Sequence, residues 1–213
     1  MHLSNERPGD KATQGLGAVD YFSAFGGTAA GHAVATAALL GIVVTVRWRL
    51  YLAQSVDGVG EGLLFGIALL LVAAFAGLRP VLPSVRGLAA GALAGLGLVA
   101  MALLVRWPAQ PLPLGHAAAF VPWAVATVTV ATSEEMVLRG ALWRWTGEAG
   151  GDVMALLVTS VLFALIHVPV YGLSVMPLDF GVGLVLGGLR LRYGGPAAPA
   201  IAHVVADIAT WWL

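Results

Sequence analysis

Apolar residues run along this chain in long stretches separated by short polar or Gly/Pro-rich breaks. Seven of them, at about 30–46, 61–78, 87–106, 119–145, 152–170, 175–191 and 197–213, reach or approach the length that crosses a bilayer. A membrane helix needs roughly 20 mostly apolar residues. The pattern predicts an all-α fold, a polytopic transmembrane bundle of about seven helices. Residues 1–28 are different, with Glu6, Arg7, Asp10, Lys11 and Asp20 scattered among small residues. They lack the short basic stretch and apolar run of a secretory signal. A mobile polar tail on an uncleaved polytopic chain is expected there.

Composition sharpens this picture. Hydrophobic residues make up 59% of the 213 and charged residues 10%, against about 25% charged in a soluble domain. A water-soluble fold could not cover so much apolar surface, so the surplus must face lipid. Eleven basic and eleven acidic side chains cancel, which gives no basic surface for nucleic acid. Disorder is excluded by the high hydrophobicity. No cysteine is present, which removes disulfides, Cys-type zinc sites and thiol nucleophiles.

Tryptophans 48, 107, 143, 145, 211 and 212 fall near segment ends, where amphipathic rings prefer the interface. If the helices alternate, Arg7, Lys11, Arg79, Arg86, Arg139, Arg144, Arg190 and Arg192 fall toward one side and Arg47, Arg49 and Arg106 toward the other. That bias predicts a cytoplasmic N-terminus. Gly91 with Gly95, and Gly183 with Gly187, form two GxxxG pairs, read as helix packing within one chain.

Polar chemistry gathers in the C-terminal half, inside apolar stretches. Segment four carries Glu134, Glu135 and Arg139, segment five Phe163 and His167, segment seven His203 and Asp207. Charges at a helix centre cost about 2.5–3.5 kcal/mol each on insertion scales, so four left unpaired would cost on the order of 10 kcal/mol. Such groups persist when they pair inside the bundle and work there. Glu135 and Arg139 are four apart with the acid first, the favourable pairing order. Glu134 points about 100° away and has no cation on its own helix. A carboxylate so placed suits a general base.

The groups can meet in depth. Counted from the loops at about 147–151 and 193–196, Glu134 and His167 lie roughly 20 and 24 Å deep, Asp207 about 17 Å and His203 about 11 Å. His203 fits least well.

At these residues the sequence resembles the CAAX-protease and bacteriocin-processing family, the CPBP intramembrane glutamic proteases, once read as metalloproteases. The family signature EExxxR, FxxxH and HxxxN/D reads here as Glu134-Glu135-x-x-x-Arg139, Phe163-x-x-x-His167 and His203-x-x-x-Asp207. All three stand in order on apolar segments. The resemblance divides the chain into the tail 1–28, N-terminal transmembrane helices at 29–115 that look like hydrophobic filler, and a catalytic helical core at 116–213. It implies intramembrane hydrolysis of a peptide bond, on prenylated C-termini, leader peptides or membrane-protein loops. Glu134 would activate the water and His167 help to position it. His203 and Asp207 would stabilise the oxyanion, with Glu135 and Arg139 bracing the site. The CAAX-trimming enzymes typically carry Asn where this chain has Asp207. An ionised Asp only accepts hydrogen bonds. Either Asp207 is protonated, or it orients and charges His203, which then donates; the second is preferred.

Other readings stand beside these. Phe163 is read as packing around the site, His32 and Glu61 as interfacial, His116 as a loop residue and Asp179 as a candidate for the substrate entrance. No metal or cofactor is expected, since there is no HExxH helix; the alternative is zinc held by Glu134, His167 and His203. The competing functions are a non-proteolytic scaffold or bacteriocin self-immunity protein on the same fold, and a small proton-coupled carrier. The expected partners are a peptide or membrane-protein substrate and the lipid bilayer, with oligomeric state open. The expected location is a prokaryotic plasma membrane.

Overall fold

A computed structural model describes residues 27–54, 56–78, 83–105 and 119–212. Most of the tail expected at 1–28, together with Arg79, Arg106, Trp107 and His116, lies outside them. Among the described residues the regular elements are helical and none is a strand. They are α1 (Ala29–Ala53), α2 (Gly58–Phe75), α3 (Val85–Val105), α4 (Phe120–Glu135), a π-helical segment (Met136–Leu142), α5 (Trp143–Tyr171), α6 (Met176–Tyr193) and α7 (Ala197–Ala209). Short 3-10 turns, Leu173–Val175 and Thr210–Trp212, precede α6 and follow α7.

Five stretches are long and apolar enough to cross a membrane, and the longest, Phe120–Tyr171, has 52 residues. A straight helix of that length would measure about 78 Å, against a hydrocarbon core of about 30 Å. The chain folds back at Gly151, where φ is 81° and ψ 176°, a conformation that glycine alone adopts readily. Gly147 and Ala155 approach each other across this break. The expected polytopic helical bundle is present. A count of seven would rest on dividing the long stretch at Gly151 and on α7, whose 13 residues give only about 20 Å. Large apolar side chains such as Val34, Leu93 and Leu104 point outward and are mostly exposed. This is the surface of an integral membrane protein, with lipid as its solvent.

Small residues set the closest helix contacts. A Cβ added at Gly95 would stand 2.7 Å from the Ala202 carbonyl oxygen. One at Gly91 would meet the Ala198 carbonyl. α3 and α7 therefore run parallel with backbones nearly touching, as the first GxxxG pair predicts. The second pair does the same for α6 on α5: a Cβ at Gly183 would lie 2.9 Å from Ser160 Cα, and one at Gly187 would meet Leu156. α2 packs on α4, with Gly66 facing Thr129.

The starts of α1, α3 and α7 lie at one face of the bundle, called here the first face. The ends of α1 and α7, the start of α4 and the α5–α6 turn lie toward the second face. There Phe120 and Trp123 of α4 meet Trp211, with ring centroids 5.3 and 4.7 Å away, an aromatic cluster suited to a membrane interface.

Two residues at the starts of the N-terminal helices, His32 and Glu61, are buried against neighbouring helices. His32 packs against Trp145 with centroids 4.3 Å apart. Glu61 accepts from Arg47 Nε at 2.9 Å. The reason is the same for both: each lies on the face its helix turns toward a neighbour. α1 and α2 are therefore not mere filler, because they carry a buried ion pair.

Candidate active site

The site begins with a change of helix type. α4 is regular to Glu135, and the next seven residues, Met136–Leu142, widen into a π-helix. Such segments are rare and recur at functional sites. Here it follows the two acids directly and includes Arg139. The carbonyl of Arg139 accepts a hydrogen bond from Arg190 Nε of α6 at 2.8 Å, so the irregular backbone is braced from outside.

Arg139 and Glu135 form the innermost pair. Arg139 Nη1 donates to Glu135 Oε1 at 2.9 Å, and neither side chain is exposed at all. Arg139 Nη2 donates to the carbonyl of Gly183 at 2.9 Å. Its guanidinium carbon lies 4.9 Å from the centre of the Phe163 ring. Glycine at 183 lets α6 come close enough for that carbonyl to be reached.

His203 is the hub. Its Nδ1 donates to Glu135 Oε1 at 3.2 Å. Its Nε2 faces Asp207 Oδ2 at 3.4 Å and Glu134 Oε2 at 3.9 Å. The depth count made His203 the poorest fit, and the structure corrects this. Gly195 and Pro196, just before α7, are themselves buried, so α7 starts inside the protein and counting from the loop underestimates its depth.

Glu134 differs sharply from Glu135. It is buried, yet among the described residues its carboxylate accepts no hydrogen bond, and its nearest ionic neighbour is His203 at 3.9 Å. That separation exceeds a direct hydrogen bond and is the kind that an intervening water or reacting oxygen fills.

His167 stands one step away. Its Nδ1 donates to the Phe163 carbonyl at 2.8 Å. A carbonyl only accepts, so the proton is on Nδ1 and the Nε2 lone pair is available in the neutral ring. Asp179 Oδ2 lies 3.8 Å from the same Nδ1, and Tyr171 stacks on the ring at a centroid distance of 6.0 Å. No His167 nitrogen lies within 4.0 Å of a Glu134 oxygen. Phe163 joins the halves: its ring centroid is 4.8 Å from that of His167 and 5.3 Å from that of His203. The structure thus gathers Glu134, Glu135, Arg139, His203 and Asp207 directly, and His167 through Phe163.

Exposure gives the site a direction. Glu135 and Arg139 are sealed, whereas the side chains of Asp207, His167 and Asp179 are 31%, 20% and 17% exposed. The last two flank the α5–α6 turn, so the site opens toward the second face. A cavity of about 460 Å³ lies elsewhere, between Gly140, Trp143, Arg144, Glu148, Arg190 and Pro196 near the first face. It holds none of the motif residues, and Arg144 and Glu148 in it are paired with each other at 3.1 Å.

Among the described residues no three His, Asp or Glu side chains converge as metal ligands. Of the alternative zinc set, His167 has its Nδ1 engaged by the Phe163 carbonyl, with Asp179 3.8 Å away.

The sequence pattern did not reveal the π-segment, the Arg190 brace or the approach of Arg47. A basic residue and an acid at the facing ends of two apolar stretches joined by one turn, Arg47 and Glu61, were the available signal for the last.

Residues 116–209, a little under half of the chain, match the family described as type II CAAX prenyl endopeptidase Rce1-like. No curated protein and no solved structure matches the chain.

Proposed function

We propose, from the match of residues 116–209 to the Rce1-like CAAX endopeptidase family, that the protein is an intramembrane endopeptidase in which Glu134 activates the attacking water. The observation that carries this reading is the contrast between two adjacent acids. Glu135 is tied through Oε1 to Arg139 and His203, though its Oε2 has no hydrogen-bond partner among the described residues, while neither oxygen of Glu134 accepts a hydrogen bond among them. A buried acid without a partner is expensive as packing, and useful as a base.

The remaining roles follow from chemistry. His167 Nε2 helps to position the water. The water proton passes to Glu134 as its oxygen adds to the scissile carbonyl carbon. The carbonyl oxygen takes up the charge, and the Nε2–H of His203, which faces Asp207 at 3.4 Å in the resting site, turns to donate to it while Nδ1 stays on Glu135. Glu134 then returns the proton to the leaving amine as the C–N bond breaks. Asp207, acting as acceptor, orients the imidazole in place of supplying a donor itself. Arg139 and Glu135 hold the frame. The substrate is a peptide that reaches the site from the second face, with a prenylated C-terminus favoured by the family. The segment 116–213 would then be the catalytic core, in a plasma membrane. No step needs a metal.

The deciding experiment is turnover of a prenylated CAAX peptide by purified protein, with Glu134→Gln and His167→Ala alongside. Loss of cleavage in folded variants supports the reading. Wild-type rates in Glu134→Gln overturn it.

A further inference from the structure

Arg47 lies on α1, outside the matched segment, and the roles above do not use it. Its Nε donates to Glu61 Oε1 of α2 at 2.9 Å, and its guanidinium carbon sits 4.3 Å from the centre of the Phe65 ring. Phe65 and Glu61 are buried, and the Arg47 side chain is 14% exposed. α2 rests on α4 through Gly66 and Thr129, about a turn and a half before Glu134. Phe65, under the guanidinium, belongs to the same buried apolar cluster as Phe163, the ring between His167 and His203, so Arg47 stands beside the site.

The pair leaves Arg47 half used. Nε is spent on Glu61, while Nη1 and Nη2 make no hydrogen bond among the described residues. A guanidinium presents these two nitrogens as a fork that matches a carboxylate. Arg139, the other arginine at the site, is fully enclosed, and both of its Nη atoms already donate. Glu134, Asp179 and Asp207 make the opening acidic, so an anionic group enters only where a cation receives it.

We propose that Arg47, held in place by Glu61, binds the free C-terminal carboxylate of the substrate and so sets cleavage close to a chain end. The inference rests on the peptidase reading and adds the residue that selects the substrate. A peptide bond in the middle of a membrane segment brings no anion to this depth; a chain that ends a few residues past the scissile bond does. Arg47 acts on binding and takes no part in moving the proton.

The test uses one fluorescent farnesylated peptide made twice, as the free acid and as the carboxamide, with full-length protein in nanodiscs. Binding is measured in Glu134→Gln, so that the peptide is not consumed. The acid should bind roughly ten- to hundredfold more tightly, the ratio expected of a charge-assisted hydrogen-bonded contact. Adding Arg47→Gln together with Glu61→Gln, which avoids stranding a buried acid, should bring the acid down to the amide and leave the amide unchanged. Equal binding of acid and amide before that change overturns the inference. So does an acid preference that survives it, or a parallel loss of both peptides, which marks a structural pair. The peptidase reading is read separately, from cleavage of the acid by wild type and its absence in Glu134→Gln.

Discussion

The Nδ1 of His203 stands 3.2 Å from Oε1 of Glu135, the same oxygen that accepts from Arg139. One carboxylate oxygen thus joins α4, the π-segment and α7. It fixes the ring so that Nε2 points at Asp207 and Glu134.

That junction predicts a stability signature. Arg139→Met leaves Glu135 buried without its cation, and breaking a buried pair from one side costs about 3–5 kcal/mol. Glu135→Gln with Arg139→Met removes both charges and should recover part of the loss. Thermal unfolding in detergent checks the order: wild type, then the double variant, then Arg139→Met. A double variant less stable than the single one would contradict the arrangement.

Asp207 is expected to tolerate amidation better than truncation. Asp207→Asn keeps an oxygen that accepts from His203 and adds a donor, so turnover should stay within about tenfold of wild type. Asp207→Ala frees the imidazole and should lower kcat by about 10²–10³-fold, the range for losing one oxyanion donor. Equal losses in both variants would assign the work to the charge of Asp207 itself.

Gly95 is expected to control the site from a distance. Gly95→Val puts a side chain where the Ala202 carbonyl and Val205 already lie, 2.7 Å from a Cβ. Overpacking of this kind costs about 1–3 kcal/mol, and α7 shifts with it, carrying His203 and Asp207. Activity should fall more than stability does, measured on folded protein at a temperature below the transition. Gly97, whose Cβ would meet nothing within 4 Å, is the control; Gly97→Ala should leave activity unchanged.

Chelation separates the two accounts of the chemistry. With no three-ligand group among the described residues, activity should survive 1,10-phenanthroline and dialysis. Loss of turnover that added zinc restores would reinstate the metal account.

Much of this was legible in the sequence, for identifiable reasons. Unbroken apolar stretches gave most helix positions within a few residues, because lipid demands them, but α1 runs seven residues past the expected end at 46 and carries Arg47 inside it. The i,i+4 spacing of Glu135 and Arg139 gave their pairing, and the two GxxxG pairs gave two helix contacts. The depth of His203 was misjudged, because residue counting assumes that a loop lies at the surface and Gly195 and Pro196 are buried. The burial of Glu61 and His32 was not legible either, since position near a helix end says nothing of which neighbour covers it. The π-segment has no signature in a hydrophobicity pattern, and neither does the Arg190 hydrogen bond to its Arg139 carbonyl.

The most direct measurement compares new peptide termini in membranes of cells making wild type or Glu134→Gln at matched levels, with a prenylated CAAX reporter co-expressed. Termini within the reporter's last residues, present with wild type and absent with Glu134→Gln, are the expected result. The same termini from both proteins would contradict a glutamate-activated water and leave Glu134 as part of a structural network.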